Sequence, residues 1–318
     1  MKIAIVKLSA MGDIIQSAFI LQYIHQHFPD TKVDWIVEDS FTPILENNPH
    51  LHDIKRVNLK SIKKSPLNIF KEIKKIKKYA KENYDFVIDL QANIKSAITS
   101  KLLSKNVYGY DKNSAREKEA SWFYSKSFDI PYHLNTIDRY RLLLNAVFDI
   151  EIKKEDVLNK KPYLFSKTDK NFDPEVVFII GASWKSKIYP KEKVKKVIES
   201  LDTKVTVPYS NQEEYEFAKS LGDVEIVKLN LDELKALISN AKLVIGNDTG
   251  PTYIAWANNI PSIVLFGPVP PNRVYGDEKT LLLKSPTEVN PYKLNREDYS
   301  IKEIDENLII KEAKRLLS

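Results

Sequence analysis

The chain has 318 residues, enough for about two domains that each bury a substantial core. Hydrophobic residues at 43% and charged residues at 29% are the balance of a folded globular protein, and no apolar run approaches the ~20 residues of a bilayer-spanning helix. There is no cysteine, which excludes disulfides, thiolate catalysis and Cys-ligated zinc and fits a reducing compartment. The apolar run at the N-terminus is interrupted by Lys7, Asp13 and Gln16 with no small-residue cleavage site after it, so the sequence predicts a cytoplasmic protein. The net charge of +6 is unevenly placed: Lys55 to Lys81 holds eleven basic residues and one acid, Glu72, a local +10 that leaves −4 for the remainder. Such a patch suits a localised anionic partner, whereas a lysine-rich solvated helix face accounts for it equally well.

In chain order, KIAIVKL (2–8), KVDWIVE (32–38), the weaker IKRVNL (54–59) and YDFVIDL (84–90) are short apolar runs of the kind that buried parallel strands show. Between them the spacing predicts a helix over 14–28, with Asp13 as its N-cap and Pro29 closing it. A second helix over 67–80 sets Leu67, Phe70, Ile73, Ile76 and Ala80 on one face and lysines on the other. IKSAITSKLLS and NTIDRYRLLLNAVF add two more helices. The polar stretch 153–175 reads as a linker, after which the alternation restarts: strands at 175–183, 204–209, 224–229, 242–247 and 261–267, with helices at 191–201, 212–220, 231–240 and 250–258. The segment 301–318 is a terminal helix. The expectation is therefore α/β, two doubly wound Rossmann-like domains facing across a cleft, with chemistry in the strand-end loops.

The first such loop is Ser9-Ala10-Met11-Gly12-Asp13, which offers one glycine and a carboxylate where a phosphate cradle would be glycine-rich. Capping explains Asp13, and so does service as a general base for a hydroxyl nucleophile. Lys7, inside an otherwise apolar strand, projects toward an anion or snorkels at an edge. In the second half, Asp248, Thr249 and Gly250 lie where a strand hands over to a helix, a site suited to a diphosphate and equally to a turn and cap. GASWKSKIYP (181–190) offers Lys185 and Lys187, either able to neutralise a leaving phosphate. Glu213 is placed to accept from ribose hydroxyls or to sit in a helix's first turn. Dinucleotide, P-loop and α/β-hydrolase fingerprints are missing, as is any Asp-x-Asp, and the five histidines are scattered, so no dedicated metal site and no cofactor are expected.

Taken together, VKLSAMGDII, VDWIVEDSF, YDFVIDLQANIKSA, SAREKEASWFY and GNDTGPTYIAWA, in this order over nearly the whole chain, resemble the bacterial ADP-heptose:lipopolysaccharide heptosyltransferases, the opening segments most of all heptosyltransferase I. The resemblance implies the GT-B architecture, with residues 1–160 binding the acceptor, residues 161–300 binding ADP-heptose, and the helix at 301–318 packing back on the first domain. It implies inverting, metal-independent transfer of heptose to a Kdo residue of Kdo-lipid A. Asp13 would be the catalytic base, with Lys187 holding the departing ADP. Ser183, Lys187, Glu213, Asp248, Thr249, Gly250 and Tyr253 would bind the donor. Lys7, Ser9, Ala10, Gly12, Lys60, Lys63, Lys64 and Arg116 would face the acceptor, and the basic helix would meet an anionic membrane on the cytoplasmic face of the inner membrane. No nucleic-acid partner is implied. Heptosyltransferase II, acting on a heptosylated acceptor, and a non-catalytic nucleotide-sugar-binding protein are the alternatives. The chain departs from the family pattern at Tyr253, where a histidine is usual, and at Lys60 and Lys63, where arginines are expected; lysine is a point charge without arginine's bidentate fork.

Overall fold

The computed structural model describes residues 1–290 and 293–318, which divide into two compact units, Met1–Tyr163 and Leu164–Ser318. In the first, β1 (Lys2–Val6), β2 (Lys32–Glu38), β3 (Asp53–Val57), β4 (Phe86–Asp89), β5 (Val107–Tyr110) and β6 (Lys126–Phe128) form one sheet in the order β3-β2-β1-β4-β5-β6. The second holds β7 (Val176–Ile179), β8 (Val205–Tyr209), β9 (Glu225–Lys228), β10 (Leu243–Asn247), β11 (Ser262–Phe266) and β12 (Thr280–Lys284) in the order β12-β11-β10-β7-β8-β9. Each sheet is parallel throughout. Counted from its own first strand, each has the order 3-2-1-4-5-6 of a doubly wound fold. Helices cover both faces of such a sheet, so its central strands read as unbroken apolar runs: Ile3 to Val6 and Val176 to Ile179 are buried throughout.

Both orders reverse direction between the first and fourth strands, the point where open α/β sheets receive ligands. Val6 pairs with Ile36 on one side and Asp89 on the other, so the turns after β1 and β4 start level with each other. In the second unit Gly246 pairs with Ile179 and Val264, which brings the loop after β7 beside the turn after β10. A Cβ at Gly246 would lie 2.6 Å from Thr252 Oγ1 and 2.7 Å from Ile179 Cβ. Only glycine lets the following helix, Gly250–Ala257, sit this close to the strand end.

Several elements differ from their sequence reading. The helix expected over 14–28 is two, Met11–Ala18 and Ile20–His27, and it starts early enough that Ala10 is the capping residue and Asp13 lies inside the first turn. Strands β5, β6 and β12 escape the apolar-run criterion, because β5 is four residues containing Gly109, β6 is a three-residue edge strand, and β12 is a half-exposed edge. The stretch read as a linker holds the short helix Lys154–Leu158. Tyr163 beyond it is buried and donates from its hydroxyl to Ile15 O at 2.9 Å, which ties it to the first unit.

The helix Asn68–Tyr79 joins the core only through its C-terminal half, at Ile76 and Tyr79. Leu67 and Phe70, on the apolar face of the helical spacing, are 71% and 69% exposed. The terminal segment is also corrected. Residues 301–318 belong to the second unit, where Ile301, Ile304, Ile309 and Ala313 of this segment enter its core and the helix Glu306–Leu317 packs against the helix Lys191–Glu199. A Cβ at Gly267 would meet Ile301 Cβ at 2.5 Å, so the segment enters where a strand end carries no side chain.

Glu306 fixes this docking through Lys196 Nζ at 2.8 Å and Lys193 Nζ at 3.0 Å. Those partners, Lys196 first, hold its carboxyl at about 2, below the ordinary 4.5. A carboxyl depressed in the folded state stabilises the fold above its unfolded value and loses that contribution as pH falls through the folded one. Glu306→Gln should therefore destabilise the protein by about 1 kcal/mol at pH 7, solvent screening included. In urea titrations, that difference from the wild type should close as pH is lowered from 4.5 toward 2.

Candidate active site

In the first unit the site is built around two strand ends. The chain leaves β1 through buried Lys7 and Leu8, passes a cis peptide between Ser9 and Ala10, and enters the helix Met11–Ala18. Asp13 turns back so that Oδ2 accepts from the Ala10 N–H at 3.3 Å, and the positive end of the helix dipole complements its charge. Lys7 is 5% exposed, with its ammonium 5.2 Å from the centroid of the Tyr140 ring. Burial pushes the Lys7 amine below its ordinary value; Asp13, Tyr110 and Asp89 oppose that shift and Arg116 adds to it. An ammonium and a carboxylate are thus held in one field at the sheet's switch point.

What fixes the turn comes from β4. Gln91 Oε1 accepts from the N–H groups of Leu8 at 2.8 Å and Ser9 at 3.0 Å. Gln91 is itself placed by Asp89, whose Oδ1 accepts from the N–H groups of Gln91 and Ala92 at 2.9 and 3.0 Å. Asp89 Oδ2 accepts from Ser96 Oγ at 2.8 Å and Tyr124 OH at 2.9 Å. Asp89 is fully buried; burial raises its carboxyl's pKa, and these four donors pull the other way.

In the second unit the counterpart of β4 is β10, and the residue after it is Asp248, 6% exposed. Its carboxylate accepts from Lys187 Nζ and from Tyr253 OH, and Lys187 also donates to Asp248 O at 3.2 Å. The Lys187 ammonium lies 4.9 Å from the Trp184 ring centroid, whose indole also carries the Arg296 guanidinium at 4.8 Å. Thr249 is the capping residue of the helix Gly250–Ala257 and its side chain makes no capping bond, so the N–H groups of the first turn, which Pro251 lacks, are not capped by it. Asn247, buried, holds the two loops together, accepting from Tyr189 N at 3.1 Å and donating to Ile180 O at 3.0 Å.

The structure thus gathers Lys7, Ser9, Ala10, Gly12 and Asp13 at one switch point, and Lys187, Asp248, Thr249, Gly250 and Tyr253 at the other. Of the two lysines after β7, Lys187 turns inward onto Asp248, while Lys185 lies exposed, 3.7 Å from an equally exposed Glu213. Its neighbour Glu214 is the one that closes on the strand-end loop, accepting from Ser210 N at 2.7 Å and reaching the space beside Gly181. Ser183, Lys63, Lys64 and Arg116 are exposed. Lys60 stands 4.2 Å from the Phe41 ring centroid, its turn anchored by backbone N–H groups of Leu59 and Lys60 donated to buried Glu38. Sequence reasoning missed Asp89, Gln91, Tyr124 and Trp184. The signal for the first two was an acid closing an apolar strand, immediately before a polar turn. Among the described residues no group of three or more histidines and carboxylates is arranged to hold a metal.

Two six-stranded parallel units, each with charged side chains at its switch point, define a two-domain doubly wound α/β protein, and comparison with known proteins makes the class specific. The model of glycosyltransferase family 9 (heptosyltransferase) matches residues 73–296, and the chain belongs to this family. Lipopolysaccharide heptosyltransferase 1 of Campylobacter coli is 35% identical, over 99% of both chains. The structure of E. coli heptosyltransferase WaaC with ADP-2-deoxy-2-fluoro heptose superposes with a TM-score of 0.80 at 26% identity, covering 98% of this chain and 99% of that one. The WaaC structure with ADP gives 0.83 at 24%, covering 99% and 100%, so the fold is that of the GT-B heptosyltransferases. The protein is a glycosyltransferase.

Gln91 holds the turn that carries Asp13. Gln91→Ala leaves two amides without their acceptor, and small displacements of a reacting group are costly. Glycosyl transfer should slow at least about tenfold while KM for the sugar nucleotide stays near the wild-type value, as steady-state kinetics would read.

Proposed function

We propose that this protein transfers L-glycero-D-manno-heptose from ADP-heptose to a Kdo residue of Kdo-lipid A in assembly of the lipopolysaccharide inner core. The observation that carries the reading is Asp13, a carboxylate held at the switch point of the first unit beside buried Lys7, in a chain 35% identical along its length to a lipopolysaccharide heptosyltransferase 1. Asp13 removes the proton of the attacking Kdo hydroxyl as its oxygen bonds to the anomeric carbon. The bond from that carbon to the diphosphate oxygen breaks with its electron pair going to ADP, and a single displacement inverts the centre. Charge on the leaving ADP is met by Lys187, Thr249, Gly250 and the N-terminus of the helix Gly250–Ala257, with no metal needed.

Ser183, Glu213, Asp248 and Tyr253 complete the donor side, Glu213 toward the ribose. Tyr253 occupies the position of the usual histidine and donates a hydrogen bond from its hydroxyl to Asp248, so the cation paired with Asp248 is Lys187. Lys7, Ser9, Ala10, Gly12, Lys60, Lys63, Lys64 and Arg116 receive the anionic acceptor. The protein works peripherally at the cytoplasmic face of the inner membrane; among the described residues no helix is long and apolar enough to cross it. Each exposed lysine near an anionic surface contributes ~1 kcal/mol to staying there.

ADP release from ADP-heptose should require Kdo2-lipid A and persist in EDTA. Asp13→Ala should lower kcat at least about a hundredfold while leaving ADP-heptose affinity near wild type; near-normal kcat would remove the base assignment. Lys187→Ala should weaken ADP binding about tenfold in calorimetry, and unchanged affinity would leave that role to the helix terminus. Release seen only with an acceptor already carrying heptose would move the enzyme to the next transfer step.

A further inference from the structure

Single exposed apolar side chains are ordinary on a protein surface, but a cluster of them marks a contact. Here six of the ten large apolar residues that stand exposed among the described residues fall on three adjoining elements of the first unit. Leu67, Ile69 and Phe70 open the helix Asn68–Tyr79. Ile94 and Ile98 lie in the first two turns of the helix Ile94–Leu103, which packs against it. Trp122, 76% exposed, is in the 3-10 turn Lys118–Phe123 packed along that second helix. The two helices begin after β3 and β4, at the carboxyl ends of the strands, which is also the edge that carries the Asp13 turn.

Charge surrounds this apolar ground. Lys63, Lys64, Lys71, Lys95 and Lys118 are exposed beside it, and residues 60–71 contain no acid. Two acids precede Trp122: Glu117 accepts from the Ile94 N–H at 2.9 Å, and Glu119, half-buried, lies in the first turn of the same 3-10 element. Apolar side chains ringed by lysines, with a tryptophan whose body is apolar and whose indole N–H is polar, are matched to the boundary between acyl chains and anionic headgroups. A nucleic-acid groove offers phosphates without an apolar layer.

We propose that Leu67, Ile69, Phe70, Ile94, Ile98 and Trp122 form an interfacial docking surface that inserts into an anionic lipid leaflet. This deepens the functional reading and rests on it in taking the acceptor to be lipid-borne; charge brings the protein to the leaflet and the apolar side chains keep it there. The lysines on the exposed face of the helix Asn68–Tyr79 govern approach, and the apolar cluster governs retention.

The full-length protein is mixed with phosphatidylcholine vesicles with and without phosphatidylglycerol, in low and high salt. Binding should need phosphatidylglycerol, and a salt-resistant fraction should remain. Leu67→Ser and Phe70→Ser should each lower partitioning about tenfold, the size expected for withdrawing one large apolar side chain from a lipid interface. Brominated lipid should quench the wild type but not Trp122→Phe. Turnover on a deacylated, water-soluble Kdo acceptor should be unchanged in the serine variants, while turnover on vesicle-embedded acceptor falls. Binding that salt abolishes fully, or variants that partition like the wild type, would overturn the proposal. So would a dimer in light scattering that the same variants dissociate. Loss of turnover on every acceptor in the wild type, with vesicle insertion intact, would sink the functional reading and leave this surface standing.

Discussion

A carboxylate with no access to water must find its hydrogen-bond donors inside the protein, and the first unit is arranged around that requirement at Asp89. Two backbone amides, a serine and a tyrosine meet it. Each donor secures a different part of the unit. The amides shape the turn after β4, Ser96 starts the next helix, and Tyr124 brings in the segment after β5. Gln91, emerging from that turn, then grips the end of β1. The position of the Asp13 turn is thus inherited from a buried carboxylate on the neighbouring strand.

The second unit also places an acid at the end of its fourth strand, two residues further along in register, and uses it differently. The donors to Asp89 are neutral, so that site is a structural knot. Asp248 is met by an ammonium and a phenol, so its site is an electrostatic one. Two copies of one topology separate scaffold from binding by what surrounds the acid, because the fold fixes where a strand ends and leaves the partners to the adjoining loops.

Much of this was legible in the sequence, for physical reasons that also mark where legibility ended. Central parallel strands are buried on both faces and announce themselves as apolar runs, so β1, β2, β4, β7, β10 and β11 could be read directly. Edge strands carry half that signal, which is why β6 and β12 could not. The spacing of Leu67, Phe70, Ile73 and Ile76 gave a helix and a shared apolar face but not its burial, since periodicity reports which residues share a side and not what lies against it. The terminal helix was assigned to the wrong unit for the same reason: its stripe of Ile309 and Ala313 fits any apolar surface, and it is the packing on the helix Lys191–Glu199 that shows which one receives it. The strand-end turns could be read as candidate positions, whereas Gln91 could not, because a bond to the end of another strand leaves no trace in local spacing.

The pairing of Lys187 with Asp248 bears on discrimination among anions. An ammonium has three protons to donate, and Asp248 engages two of them through its carboxylate and its carbonyl. The resting pocket therefore presents a nearly neutral surface, and an arriving anion must compete with a carboxylate already in place. A singly charged ion has little to offer in that exchange. On the function proposed above, a ligand carrying two linked phosphates would also reach the helix N-terminus next door, and the built-in counter-ion would then rank ligands by the number of charges they bring.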